Sequence, residues 1–236
     1  MPILFKFLLR LDPQPDYYVF SENNSKDNTF ELIKDFHPGK PKKIIRLWFR
    51  PEADKTLIHT YEKMAHIRQL LLTAARNLDV DYAFFLDADV IPLCSDMILR
   101  FVYPMRTFNI DVLGGSILYF NYDGSFCLSA SCKYDEKHYY RVPIPQRSYD
   151  LFWFREVDLV GAAALCLSRR VVQDRRVNFY PLTFPSCEDG HYCFQAQKHG
   201  YKIFLEGWTG FSHLFWLQHK KLRPWYYNVS LDHFFA

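Results

Sequence analysis

Two carboxylates one residue apart, Asp87 and Asp89, follow an apolar run, Tyr82-Ala83-Phe84-Phe85-Leu86. In extended chain, residues i and i+2 point to one side, so the pair can converge on one cation or on water held by it. Hard oxygen donors suit Mg²⁺ or Mn²⁺ and argue against a thiolate-type zinc site. A second acidic pair, Glu188-Asp189, stands where a helical stretch begins, and a carboxylate there can take a proton from a hydroxyl. The structural alternative is plain in both places. Two acids after a strand serve as a solvated turn, and acids at a helix start complement the macrodipole by ~0.3–1 kcal/mol.

The elements that must position these groups can be read in order. Pro2 to Leu11 forms one helix or strand and ends at Asp12-Pro13-Gln14-Pro15. Tyr17 to Phe20 is a short strand with polar Ser21 to Thr29 at its carboxyl end. A helix runs from Thr29 to Phe36, with Asp27 or Thr29 placed to cap it. Ile44 to Phe49 is a third strand. A helix over Glu62 to Leu78 presents Met64, Ile67, Leu71, Ala74 and Leu78 as its apolar stripe, and Tyr82 to Leu86 then reads as a buried strand, since Pro92 blocks a helix.

Strand and helix alternating in this way predict a parallel sheet with right-handed crossovers. Beyond Asp89, Asp111 to Leu118 is strand-like, whereas Tyr119 to Tyr149 lacks periodicity and reads as a substrate-facing loop region. Glu156 to Val160 is a strand before Gly161-Ala162-Ala163-Ala164. A helix from Glu188 to His199 stops at Gly200. Lys202 to Leu205 and Trp208 to Phe215, with His213, complete the chain before a basic tail. With no linker or repeat, the 236 residues are expected to form one domain, 1–110 binding a nucleotide-type ligand and 111–236 completing the site.

Composition narrows the class. Hydrophobic residues at 49% and aromatics at 18% indicate a folded protein. A net charge of +3 without a long basic run excludes nucleic-acid binding as the main function. Six cysteines without Cys-x-x-Cys spacing read as reduced thiols, and no apolar run reaches the ~20 residues that span a bilayer. Met1 to Leu11 lacks the small-residue cleavage site of a signal peptide. A cytoplasmic protein is expected; the sequon at Asn23 agrees, since a glycan there would crowd the loop after the first strand. Lys220, Lys221, Trp225 and Tyr226 are candidates for peripheral contact with a membrane surface.

Taken in order, the Glu22 to Thr29 loop, Asp87-Ala88-Asp89, Glu188-Asp189 and His213 resemble the GT-A glycosyltransferases, especially family 2-like enzymes and the fungal mannosyltransferases of the Golgi polymerase complex. The resemblance spans Asp16 to His213. It implies an α/β, Rossmann-like mixed sheet flanked by helices, with transfer of a sugar from a nucleoside-diphosphate donor, UDP favoured, to a glycan or other hydroxyl acceptor with inversion.

Mn²⁺ or Mg²⁺ is implied as cofactor. The donor site then comprises Glu22, Asn24, Asp27, Arg68, Asp87 and Asp89, and the metal site Asp87, Asp89 and His213. Asp189 is the implied catalytic base, with Glu188 as neighbour and stand-in. Lys220, Lys221 and Arg223 are candidates to fold over the diphosphate, a basic solvated tail being the plainer reading. The segment before Asp12 suffices for one element where the family has a strand and a helix, so the resemblance implies a first strand that is absent, or a site built differently. Two other readings stand beside it: a silent sugar- or nucleotide-binding module of the same fold, and a haloacid dehalogenase-like phosphatase, whose first motif is also a strand followed by Asp-x-Asp.

Overall fold

The structure is a computed structural model and describes residues 2–49, 57–120, 126–129, 131–135, 140–143, 154–182 and 187–213. Helix α1 (Pro2–Leu8) leads to strand β1 (Tyr18–Asn23), helix α2 (Thr29–Asp35) and strand β2 (Lys42–Leu47). The long helix α3 (Leu57–Leu78) delivers the chain to β3 (Tyr82–Leu86), followed by β4 (Val90–Pro92), α4 (Met97–Thr107) and β5 (Val112–Phe120). Next come the short strands β6 (Phe126–Ser129), β7 (Ser131–Asp135) and β8 (Tyr140–Pro143), then β9 (Phe154–Val157), β10 (Leu159–Val160) and β11 (Ala164–Ser168). Helices α5 (Arg169–Gln173) and α6 (Glu188–Lys198) precede the last described strand, β12 (Ile203–His213).

The main sheet runs β3-β11-β5-β12-β4, with β6 on β5 and β9 on β12. Its ladders are antiparallel except for β5 with β12. This corrects the expected all-parallel first half. β1 and β2 do pair in parallel, but they form their own two-stranded sheet, and β3 takes its partner from the late strand β11. Alternation of strands and helices in sequence cannot reveal this, because a distant strand competes for each edge. Within the stretch read as a loop region, the described residues include strands: β6 pairs with β5, and β7 pairs antiparallel with both β8 and β10.

Two apolar clusters flank the sheet. α1, α2 and α4 contribute Phe5, Ile33, Phe36, Met97, Phe101 and Met105 to one. The other joins Leu72 and Ala75 of α3 with Tyr192 and Ala196 of α6 and with Phe179, whose ring stacks on Tyr192 at 4.2 Å. The buried residues of α3 are Ala65, Arg68, Leu72, Ala74 and Ala75; of the apolar stripe read from sequence only Ala74 is among them, and Met64, Ile67 and Leu71 each lie one position away from the buried line. A charged residue therefore occupies the inner face, which hydrophobic periodicity hides. Arg76 and Gln69 of α3 hold the segment after α5: the Arg76 guanidinium donates to the carbonyls of Val172, Asp174 and Val177, and Gln69 Oε1 accepts from the backbone N–H of Phe179 at 2.9 Å.

Gly114 and Gly115 sit where β5 passes beneath other elements. A Cβ on Gly115 would overlap the Phe211 ring and lie 3.1 Å from Phe101, and one on Gly114 would lie 2.7 Å from Val160 Cγ1. Gly115→Ala is expected to destabilise by ~1–3 kcal/mol through overpacking, read as a lower urea midpoint with unchanged slope. A midpoint equal to wild type would show that Phe211 has room to move.

Candidate functional site

The site is assembled by one buried cation. Arg68, 5% exposed, projects from α3 toward the end of β3. Its Nη2 donates to both Asp87 oxygens, at 3.2 and 3.0 Å, and its Nη1 donates to Glu188 Oε1. One guanidinium thus ties α3, the carboxyl end of β3 and the amino end of α6, positions separated by up to 120 residues in sequence. A planar guanidinium that gives one terminal nitrogen to each of two carboxylates fixes orientation as well as charge.

Local structure explains how each acid is presented. Backbone bonds turn the chain sharply after β3: Asp87 N–H donates to the Ala163 carbonyl, and Val90 N–H to the Asp87 carbonyl. Small residues at Ala162 and Ala163 let β11 approach this turn. At the other acidic pair, Cys187 is the N-cap of α6, and Glu188 and Asp189 occupy its first turn. Asp189 Oδ1 accepts from Gly190 N–H at 2.7 Å and from the Cys187 thiol. Glu188 is buried, whereas Asp189 is only half-buried. The two acids therefore differ in accessibility, with Glu188 turned inward onto Arg68.

Burial pushes the Glu188 carboxyl above the ordinary glutamate range, the attraction of Arg68 opposing it. For Asp87, too, burial is the largest influence and raises the carboxyl, with Arg68 working against it. Arg68 itself stays protonated: burial disfavours its charge, but Asp87, Glu188 and Asp189 outweigh that. Nearby, His191 lies on α6 one turn after Glu188; it is buried, its Nδ1 has no partner among the described residues, and burial favours the neutral ring.

The β1 end carries the other candidate residues. Glu22 lies within β1 rather than in the loop after it, and is 2% exposed. Its Oε1 accepts from Ser25 N–H at 2.6 Å and its Oε2 from Arg46 Nε at 3.4 Å. Burial raises this carboxyl, but those bonds together hold it below the usual range. Asn24 adopts φ +46°, a left-handed turn that asparagine tolerates. Asp27 Oδ1 accepts from Thr29 N–H at 3.0 Å, which is the turn-forming role that competes with a ligand role.

The metal-site residues are only partly described. Asp87 and Asp89 offer hard carboxylate oxygens, and one side of Asp87 is occupied by Arg68 while its side chain remains 33% exposed. That donor chemistry fits Mg²⁺ or Mn²⁺ better than a thiophilic ion. His213 pairs with Val90 in the β12–β4 ladder, next to Asp89 in sequence, and its side chain lies outside the described residues. Among the described residues no group of three or more His, Cys, Asp or Glu side chains is arranged to hold a metal ion. Lys220, Lys221, Arg223, Trp225 and Tyr226 also lie outside the described residues, and no described helix is long and apolar enough to cross a membrane.

Sequence reasoning missed the ion pair between Glu22 and Arg46. The available signal was the parallel pairing of β1 with β2, which sets Glu22 opposite Arg46. Opposite charges at matching strand positions become visible once that register is known.

No protein-family model matches the chain, and no curated protein does. Among solved structures it is similar to A197 from STIV, with 16% identity over 83% of this chain and 80% of that one at a TM-score of 0.43. It is also similar to GalNAc-T7, solved with UDP, GalNAc and Mn²⁺, with 16% identity and a TM-score of 0.54. That match covers 84% of this chain and 37% of the GalNAc-T7 chain, so the protein spans well under half of that relative's length. A mixed, mostly antiparallel sheet flanked by helices and superposable on GalNAc-T7 gives the chain the fold of the GT-A glycosyltransferases.

Proposed function

We propose that the chain is a metal-dependent glycosyltransferase that moves a hexosyl group from a nucleoside-diphosphate donor, UDP favoured, to the hydroxyl of a glycan or similar acceptor with inversion. The observation that carries this reading is the Asp87–Arg68–Glu188 network. It joins the acid pair at the end of β3 to the acid pair at the start of α6, within the GT-A fold. The GalNAc-T7 structure contains UDP, GalNAc and Mn²⁺, which supports a nucleotide-sugar donor and a divalent ion for this chain as well. A soluble, cytoplasmic setting belongs to the same proposal.

The residues divide the work by accessibility. Asp87 and Asp89 would hold Mn²⁺ or Mg²⁺, with His213 completing the set. When bound, the ion supplies Lewis-acid neutralisation of the charge that grows on the departing diphosphate. Asp189 accepts the proton of the acceptor hydroxyl as that oxygen attacks the anomeric carbon from the face opposite the leaving group. Glu188 cannot easily share that role, because Arg68 holds its carboxylate inward. Arg68 thereby sets the distance between the donor end and the proton acceptor, which is the positioning that a displacement requires.

The testing experiment is thermal unfolding with UDP or GDP, each with and without Mn²⁺, on wild type and Asp89→Asn. A ligand at 100 times its dissociation constant adds ~2.7 kcal/mol, a shift of several degrees for a domain of this size. Wild type is expected to shift only with nucleotide and metal together, and Asp89→Asn to lose that shift. No shift with either nucleotide would refute the donor site.

A further inference from the structure

Helices α1 and α4 pack into the same apolar cluster. The Asp12 N–H donates to the Ser95 carbonyl at 3.0 Å, which ties the turn after α1 to the turn before α4. Their outer sides therefore open onto one face of the molecule. Helix α4 is apolar on two sides: Met97, Phe101, Pro104 and Met105 are buried, while Leu99 and Tyr103, one turn apart, point the other way with exposures of 52% and 70%. Phe108, at the end of α4, is 60% exposed, and Leu9, just after α1, is 52% exposed. Four of the seven large apolar side chains exposed among the described residues thus lie on this pair of helices. Such side chains need no explanation when scattered singly, but a concentration of them marks an interaction surface.

The same face is basic. Lys6 and Arg10 are exposed beside Leu9, and Arg106 is exposed one turn beyond Tyr103. Neither helix carries an acid. Asp96, the N-cap of α4, is taken up by Arg100 at 2.8 Å, and Asp12 stands exposed at the joint. The sign of this charge decides between occupants. In a twofold dimer one patch meets its own copy, which would set Lys6, Arg10 and Arg106 against themselves, so a second chain is disfavoured. An anionic bilayer fits. Single Leu and Phe side chains enter the headgroup boundary, a Tyr ring sits there with its hydroxyl among the headgroups, and flanking cations reach the lipid phosphates. No described helix is long and apolar enough to cross a membrane, so the contact lies along the surface.

We infer that the outer face of α1 and α4 is a docking surface for anionic lipid, with Leu9, Leu99, Tyr103 and Phe108 entering the interface and Lys6, Arg10 and Arg106 pairing with headgroup phosphates. The inference goes beyond the sugar-transfer reading and uses none of its residues. It places the contact on these helices and not on Lys220, Lys221, Trp225 and Tyr226.

Sedimentation of the full chain with vesicles of phosphatidylcholine, alone or mixed with phosphatidylserine, tests it. Wild type is expected to bind the mixed vesicles at least ~10-fold more tightly and to be released as salt screens the surface potential. Lys6→Gln/Arg106→Gln is expected to weaken binding by ~10-fold or more, at about fivefold per cation, and Leu99→Ser/Tyr103→Ser by about 10-fold. All four positions are exposed, so urea midpoints should match wild type. Tyr103→Trp reports the site directly: its emission, taken as a difference from wild type, should move to shorter wavelength on the mixed vesicles as the new indole leaves water. An unshifted emission, or binding of both double variants within twofold of wild type, would place the contact elsewhere and overturn the inference. Equal, salt-independent binding to both kinds of vesicle would overturn the role of the cations. A dimer in solution that Leu99→Ser/Tyr103→Ser dissolves would assign the face to a second copy and overturn the lipid. A wild-type chain that stays in the supernatant with both vesicles would refute the docking surface outright, and the nucleotide-dependent thermal shift would be unaffected by that result.

Discussion

Arg68→Met is expected to cost ~3–5 kcal/mol of stability, the range found when one partner of a buried ion pair is removed. The reason lies in what stays behind. Glu188, with a side chain 7% exposed, would be left as an unpaired charge, and the Asp87 side chain, 33% exposed, would lose both bonds from Nη2. Methionine fills much of the stem volume, so a cavity contributes little, and the loss measures charge compensation. Arg68→Met/Glu188→Gln should recover part of the deficit, because a neutral amide requires no counter-charge.

The deficit should also depend on pH, with a definite sign. Burial already raises the folded-state carboxyl of Glu188, and removing Arg68 raises it further, because the attraction opposing that rise is gone. A raised carboxyl contributes stability that is fully present below its unfolded value and lost as pH rises through the folded one. The single variant should therefore approach wild type as pH falls from neutrality toward ~4.3, the ordinary glutamate value. Urea unfolding at several pH values reads this directly. A pH-independent deficit, or one under 1 kcal/mol, would mean that Glu188 finds another partner.

The same residue shows how much the sequence disclosed. The acids at the end of β3 and at the start of α6 were legible because an apolar run stops at the first pair and a helical stretch begins at the second. Strand β1 was legible in place but too short: Ser21, Glu22 and Asn23 continue it, since pairing with β2 overrides the polar character that ended the apolar pattern. Helices α4 and α5 were not foreseen. Pro104 lies inside α4, and the five residues of α5 are too few for periodicity to register. The inward direction of Arg68 was hidden for a different reason. A guanidinium on a buried helix line reads as exposed until the two carboxylates that neutralise it, 19 and 120 residues away, are brought beside it.

Asp189→Asn is expected to lower sugar transfer by ~10²–10⁴-fold, the usual range for removing a general base, while leaving nucleotide affinity unchanged. The substitution is close to isosteric, and an amide oxygen can still accept from Gly190 N–H, so the amino end of α6 should keep its shape. What is lost is the capacity to take a proton at neutral pH. The adjacent acid is poorly placed to compensate, since Glu188 is buried and engaged by Arg68. Rescue would require Glu188 to leave that bond and rotate outward from a helix whose next residues, Tyr192 and Cys193, are fixed in the core. Single-turnover transfer, with nucleotide binding measured beside it, separates the two readings: a large loss of rate with intact binding supports Asp189 as the base. A normal rate would remove Asp189 from the chemistry, and a matching loss in Glu188→Gln would then mark Glu188 as the residue to which the base assignment must move.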